Sequence, residues 1–225
     1  IYDYSLLSKE QITERETIGE AGFMALYEPL AMNQTDANNY VHTKTCVGID
    51  FGTSSTVVSY AFLENNHIKV ESVPIMQREP DRTESRDTIV PSVIAISNNV
   101  FMVGKHAAER KSIMTYGQDI WYNFKEHLSI LPITDHTYSA LRDHASFKIN
   151  NDEDALILFF KYLKKQTEEH LQSKGLSIDI AYSISIPANF ESDKKVMLKS
   201  CLTAAGIDCE DAPFIDEPNA ALINY

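Results

Sequence analysis

A helical pattern set between strand patterns constrains the fold more than any other feature of this sequence. Residues 152–173 begin with three acidic residues, where the positive end of a helix dipole favours carboxylates, and Gly175 follows as a helix stop. A β-branched strand at 178–186, a second helix at 192–205 and a short strand at 213–215 come next. This alternation predicts an α/β layered domain. The apolar stripe of the first helix consists of Leu156, Phe159, Phe160 and Leu163.

Strand patterns dominate the segment upstream of that helix. Residues 46–51 and 56–61 read as strands joined by a tight turn at 52–55, and 68–75 is a further β-branched segment. Together they predict an antiparallel meander of three strands.

The segment between the meander and the long helix gives weaker signals. Residues 77–87 are charged and predict a loop, and 90–97 predicts a strand entered through Pro91. Residues 100–104 predict another strand and 105–114 a helix.

Composition and charge exclude several classes of protein. With 44% hydrophobic and 23% charged residues, the 225-residue chain is an ordinary globular protein. Twenty Lys and Arg against 32 Asp and Glu give a net charge of −12, which repels nucleic-acid phosphates and anionic lipid. The longest apolar run, 155–160, is far shorter than the roughly 20 residues that span a bilayer. We therefore expect neither a nucleic-acid partner nor a membrane partner.

The N-terminal part differs from the rest. Residues 1–44 show weak periodicity apart from a predicted helix near 8–25, so we interpret them as an extension or linker. Asp3 and Lys9 stand where a secretory signal would be apolar, and the odd number of cysteines, three, fits a reducing compartment. We expect a cytoplasmic protein. Because the chain begins with Ile1 rather than Met, we also expect a fragment of a longer chain.

The turn at 52–55 is the first candidate site. Gly52 permits close backbone approach, and the following Thr53, Ser54 and Ser55 add hydroxyl donors to backbone N–H groups that can face a phosphate. Asp50, at the end of the preceding strand, is suited to hold a hydrated Mg²⁺. A plain solvent-exposed β-turn is the alternative on pattern alone.

A second candidate follows the last predicted strand. Glu217 stands where ligands lie in open α/β sheets, beyond the carboxyl ends of the strands, and is suited to orient a water or bind a metal-held water. The competing interpretation is an acidic helix N-terminus before Pro218.

Three segments together resemble the heat-shock protein 70 (DnaK-type) chaperone family. VGIDFGTSS at 47–55 resembles that family's first phosphate loop, SIPANF at 185–190 its proline-switch segment and IDEPNAAL at 215–222 its connecting segment. IVPSVIA at 89–95 and VGKHAA at 103–108 look like two further stretches of the same family. The resemblance covers about residues 45–225.

The resemblance implies a fold. It would be the first lobe of an actin-like ATPase (ribonuclease H-like) domain, an α/β fold with a mixed sheet of about five strands flanked by helices. Residues 45–77 and 151–225 would form its core, and about 78–150 an inserted smaller subdomain. No second phosphate loop follows before Tyr225, so we expect the isolated lobe to be inactive as an ATPase.

The resemblance also implies a site for ATP or ADP with Mg²⁺. Gly52, Thr53, Ser54 and Ser55 would cradle the phosphates, and Asp50 would lie near the metal through water. The implied catalytic residues are Glu217, Asp50 and Thr53. Pro187 and Lys195 would couple the nucleotide state to peptide binding in the parent protein. The partners of that parent protein would be co-chaperones and unfolded-peptide clients.

One departure from the family bears on hydrolysis. The lysine of the family's V-G-x-x-A-K stretch falls on Ala108, with Lys105 and Lys111 as nearby substitutes. Losing a cation that stabilises phosphoryl charge slows transfer. A nucleotide-sensing adaptor with little ATPase activity is therefore one alternative, and a bacterial actin-like filament protein is another.

Overall fold

The computed structural model describes residues 44–65, 67–79, 81, 83–128, 149, 151–187, 190–208 and 214–216. The extension predicted for residues 1–44 lies outside these ranges except for Lys44, and so does its helix near 8–25.

Strands and helices alternate in the order that the sequence indicates. The strands are β1 (Thr45–Phe51), β2 (Ser55–Glu64), β3 (His67–Ser72), β4 (Ile75–Arg78), β5 (Glu84–Asp87), β6 (Ile89–Pro91), β7 (Val93–Ser97), β8 (Val100–Val103), β9 (Ile120–Tyr122), β10 (Ile180–Ile186) and β11 (Phe214–Asp216). The helices are α1 (Lys105–Ala108), α2 (Phe124–His127), α3 (Asp152–Ser173) and α4 (Ser192–Ala204).

The main sheet is mixed and has the strand order β11-β10-β1-β2-β3, with β6 also paired to β2. The pairs β1–β2 and β2–β3 are antiparallel, which confirms the predicted meander. The pairs β1–β10 and β10–β11 are parallel, because α3 and α4 provide the crossovers that parallel neighbours need. The chain is therefore an α/β protein with a mixed sheet.

Each of two segments that the sequence predicts as a single strand forms two strands in the structure. The segment predicted as one strand at 68–75 is β3 and the start of β4, separated at Pro74, which has no N–H to donate to a ladder. The segment predicted at 90–97 is β6 in the main sheet and β7 in a second sheet of order β8-β7-β9. The break falls at Ser92, whose hydrogen bonds are described below.

The loop predicted at 77–87 is wrong, because β4 and β5 form an antiparallel hairpin there. Ile75 and Gln77 on alternate positions of β4 are buried, so one face of this charged hairpin packs inward. The helix predicted at 105–114 is also too long. After Ala108 the chain turns through tighter bonds, such as Lys111 N–H to Ala108 C=O at 3.3 Å.

The core lies between one face of the main sheet and the helices α3 and α4. Aromatic side chains dominate it: the Phe51 ring centroid lies 5.1 Å from that of Phe160, and the centroids of Phe124 and Phe159 are 5.7 Å apart. The bounds predicted for α3 are confirmed. Asn151 caps it by accepting from Asp154 N–H at 2.8 Å, and Gly175 follows with φ +72°. No helix within the described ranges is long and apolar enough to cross a membrane.

A polar cluster joins the far end of α3 to strands β2 and β3. The buried Tyr60 donates to Glu71 Oε2 at 2.6 Å, and His170 Nε2 lies 3.4 Å from the same Tyr60 hydroxyl. Lys174 Nζ lies 3.7 Å from Glu71 Oε2. Burial, reinforced by Glu71, raises the pKa of Tyr60 to about 12, while burial with the charges of Lys174 and Arg86 lowers the pKa of His170.

The lowered pKa of His170 predicts a pH dependence of stability. In the unfolded chain the imidazole of His170 is protonated near pH 6.5, the ordinary histidine pKa, whereas in the folded chain it is protonated only at lower pH. The free energy of unfolding should therefore fall as pH drops from about 7.5 to about 5.5. His170→Gln should make that fall shallower in urea titrations at several pH values, and parallel profiles for the variant and the wild type would contradict the assignment.

Candidate functional site

The predicted turn lies at the edge of the sheet where the parallel strands end. β1 ends at Phe51, β10 at Ile186 and β11 at Asp216, and these three strands run in the same direction. The turn at 52–55 follows the first of these ends, and Pro187 follows the second. Ligands of open α/β sheets bind beyond such carboxyl ends.

Gly52 is required by the close approach of the backbone within the turn. Its N–H donates to Ser55 C=O at 3.0 Å, and a Cβ at this position would lie 2.3 Å from that same oxygen. Thr53 and Ser54 at the tip are exposed, and Ser55 is half-buried at the start of β2. No hydrogen bond within the described part of the chain uses the backbone N–H groups of Thr53 and Ser54. The tip can therefore offer two backbone donors with two hydroxyl groups to an anion.

Ser92, which lies between β6 and β7, holds this turn by hydrogen bonds, a role that the sequence analysis missed. Its hydroxyl donates to Gly52 C=O at 2.8 Å, and its N–H donates to Ser54 C=O at 2.9 Å. Because the only proton of the Ser92 hydroxyl is used, the buried Thr56 hydroxyl must be the donor of the 2.9 Å bond to Ser92 Oγ. The carbonyl oxygens of Gly52 and Ser54 therefore have protein donors, while the donors of Thr53 and Ser54 at the exposed tip can bind a ligand.

Asp50 lies beside the turn on the opposite face of β1 from Phe51. It is exposed, and its Oδ1 accepts a 2.6 Å hydrogen bond from Ser185 of the neighbouring strand β10. The parallel register places these two residues side by side. One carboxylate with a free oxygen fits a hydrated Mg²⁺, which takes one or two carboxylates and keeps several waters. Within the described ranges, His, Cys, Asp and Glu side chains form no group of three or more that would hold a metal.

The lysines expected to replace the one missing at Ala108 are engaged elsewhere. Lys105 Nζ lies 2.9 Å from Glu79 Oε1 and 3.2 Å from Asp87 Oδ2. Hydrogen bonding to these two carboxylates raises the pKa of Lys105. Lys111 Nζ lies 4.4 Å from the centroid of the Tyr122 ring. Lys105 therefore ties α1 to the β4–β5 hairpin and is not available as the predicted phosphate partner.

The structure describes two of the three remaining predicted residues. Pro187 is half-buried directly after β10, and its C=O accepts from Phe190 N–H at 2.9 Å. Lys195 lies in the first turn of α4, where its N–H donates to Glu191 C=O at 3.0 Å. Glu217, the predicted catalytic carboxylate, lies outside the described residues.

A cavity of about 260 Å³ lies at the other edge of the sheet, where β10 begins. Lys164, Glu168, Asp179 and Asp208 contribute its charged lining. It contains none of the predicted site residues. The exposed turn is the better candidate because it carries backbone N–H and hydroxyl donors beside the Asp50 carboxylate.

Comparisons with known proteins leave the family open. No protein-family model matches the sequence, and a search of the curated proteins finds no significant relative. The resemblance to heat-shock protein 70 chaperones stays a prediction.

Substitution of Ser92 tests the hold on the turn. Ser92→Ala removes a buried hydroxyl, so Gly52 C=O loses its donor and the Thr56 hydroxyl loses its acceptor. The free energy of unfolding should therefore fall by about 1–3 kcal/mol. Ser54→Ala, an exposed serine of the same turn, should change it by less than about 0.5 kcal/mol. Equal effects in chemical denaturation would contradict the role given to Ser92.

Proposed function

We propose that this chain is the first lobe of an actin-like nucleotide-binding domain of the heat-shock protein 70 type, which binds ATP or ADP with Mg²⁺ at the turn 52–55. In the parent protein, hydrolysis would be coupled to peptide binding. The observation that carries the proposal is the pairing of a donor-rich turn with the exposed Asp50 carboxylate at one edge of the sheet.

The geometry of the turn supports phosphate binding. Ser92 donates hydrogen bonds to the carbonyl oxygens of Gly52 and Ser54, so these two acceptors of the turn are occupied. The exposed N–H and hydroxyl groups of Thr53 and Ser54 remain as donors for phosphate oxygens. A turn of opposite polarity, with free carbonyls at its tip, would repel an anion.

The position of Asp50 supports Mg²⁺ binding beside the phosphates. Ser185 donates to one carboxylate oxygen and orients the group, and the carboxylate projects from β1 two residues before Gly52. When bound, Mg²⁺ would neutralise phosphate charge. Asp50 would hold it through water, and the hydroxyl groups of the turn would position the terminal phosphate.

The topology supports the actin-like assignment. A mixed sheet with a five-strand path, and with helices α3 and α4 packed on one face, is the kind of core expected for residues 45–77 and 151–225, although β6 from the segment 78–150 also pairs with β2. The second sheet and the β4–β5 hairpin are inserted between β3 and α3, where the smaller subdomain at 78–150 is expected.

The engagement of Lys105 favours a second candidate function, a nucleotide-sensing adaptor with little ATPase activity. Ala108 provides no charge, and Lys105 is held by Glu79 and Asp87. Without a cation on the transferring phosphoryl group, binding persists while hydrolysis is slow.

Calorimetric titration tests nucleotide binding by the 225-residue chain. Wild-type chain should bind Mg-ATP more tightly than ATP with EDTA. Asp50→Asn should weaken Mg-ATP binding at least about tenfold, which is about 1.4 kcal/mol, and remove the effect of Mg²⁺. Asp179→Asn, an exposed carboxylate at the opposite edge of the sheet, is the matched control and should bind as wild type does. Failure of the wild type to bind up to millimolar Mg-ATP would overturn the proposal.

Steady-state phosphate release in the complete protein separates the two functions. If the adaptor assignment is right, Ala108→Lys should raise turnover by about tenfold or more, since one added charge partner for the transition state is worth a few kcal/mol. A turnover that is high in the wild type and unchanged by Ala108→Lys would contradict it.

A further inference from the structure

Strand β3 forms an edge of the main sheet. The strand order ends at β3, which among the described strands pairs only with β2. Five of its six residues are exposed, Ile68 is half-buried, and Val70 is 66% exposed. The register with β2 covers all six residues without a bulge. A regular edge strand of this kind is a template for pairing with a further strand.

The hydrogen-bond pattern shows which backbone groups of β3 face the free side. Val73 N–H donates to Val58 C=O at 2.7 Å, so the backbone groups of Val73 point toward β2. Because these groups alternate in direction along a strand, those of Ile68, Val70 and Ser72 point away from β2. Their N–H and C=O groups have no backbone partner within the part of the chain that the structure describes. They can therefore pair with another strand while the bonds to β2 are kept.

The side chains of β3 favour a second copy of the same strand. When two copies are aligned antiparallel about Val70, Lys69 of each copy lies opposite Glu71 of the other. Opposite charges directly across two strands attract, whereas like charges repel. An edge guarded by charges of one sign would repel a second copy, but a cation and an anion two residues apart complement their own repeat.

Both charges are within reach across the edge. Glu71 lies opposite Tyr60 in the register with β2, so Glu71 and Lys69, two residues apart, project from the same face of the sheet. The Tyr60 hydroxyl uses Oε2 of Glu71, which leaves Oε1 for a cation. The Lys69 side chain is 53% exposed, and its pairing with Glu64 is an exposed ion pair that holds it only weakly.

We propose that β3 is a homodimer interface, in which the β3 strands of two copies of this chain pair antiparallel with Val70 on the twofold axis. The N–H and C=O groups of Val70 would bond those of Val70 in the second copy, and a Lys69–Glu71 pair would lie on either side of them. The two five-strand paths would join in one continuous sheet. This inference goes beyond the proposed function and uses none of the residues of the turn 52–55.

Sedimentation of the 225-residue chain over a concentration series tests the interface. We expect a reversible dimer with a dissociation constant between about 1 µM and 1 mM, as for a small interface. Val70→Pro removes an N–H that faces the free side, so it should keep the pairing of β2 with β3 and weaken the dimer about tenfold or more. Val70→Thr is the matched control, because it keeps the N–H and a β-branched side chain, and it should dimerise as wild type does.

Charge reversal tests the register of the two strands. Lys69→Glu would place carboxylates opposite each other at two positions of the dimer, so at low salt it should weaken the dimer about threefold or more. Lys165→Glu, which reverses the charge of a 72% exposed lysine on α3, is the matched control and should have no such effect.

Several outcomes would overturn the inference. A wild-type chain that stays monomeric up to about 1 mM would do so, because even weak interfaces are occupied at that concentration. So would a dimer that Val70→Pro and Lys69→Glu leave unchanged, or one that Val70→Thr weakens as much as Val70→Pro does. Thermal unfolding shows whether each variant is folded, and should Val70→Pro fail to fold, Lys69→Glu against Lys165→Glu carries the test. None of these outcomes bears on nucleotide binding.

Discussion

The hydrogen bonds of Ser92 join the turn at the edge of the main sheet to the second sheet, and the arrangement of the candidate site depends on them. Ser92 lies between β6, which pairs with β2, and β7, which belongs to the sheet β8-β7-β9. A single residue therefore holds the two carbonyls of the turn and marks the point where the chain passes between sheets. Because both Ser92 and Thr56 are buried, water does not compete for these bonds.

One face of β1 packs in the core, and the other carries the candidate metal-binding carboxylate. Val47, Ile49 and Phe51 face the helices and belong to the core. Asp50 faces the other way, beside Ser185 on β10. Since side chains alternate along a strand, the residue that packs and the residue suited to bind a metal are neighbours in sequence and lie on opposite faces.

Two lysines between β3 and α3 are tied to their surroundings. Glu79 and Asp87 lie on either side of the β4–β5 hairpin and both contact Lys105, whose pairing fastens α1 to that hairpin. Lys125 is buried in α2, and its Nζ lies 5.5 Å from the centroid of the Phe51 ring. Neighbouring carboxylates stabilise the charged form of an ammonium, so Lys105 stays with Glu79 and Asp87.

Local pattern was sufficient for the elements whose signals lie within one stretch of chain. The bounds of α3 follow from its acidic start, apolar stripe and Gly175, and the β1–turn–β2 hairpin follows from strand alternation around Gly52. The charged hairpin at 75–87 and the break at Ser92 were missed, because each is stabilised by burial against distant elements. The sequence by itself determined the α/β class and identified Asp50 and the turn as a candidate site. Only the tertiary structure decided that Ser185, 135 residues away, orients Asp50, and that Lys105 is paired with carboxylates while Lys125 is buried beside Phe51. Such contacts join residues far apart in the chain, so their partners are set by packing and register, which no local periodicity encodes.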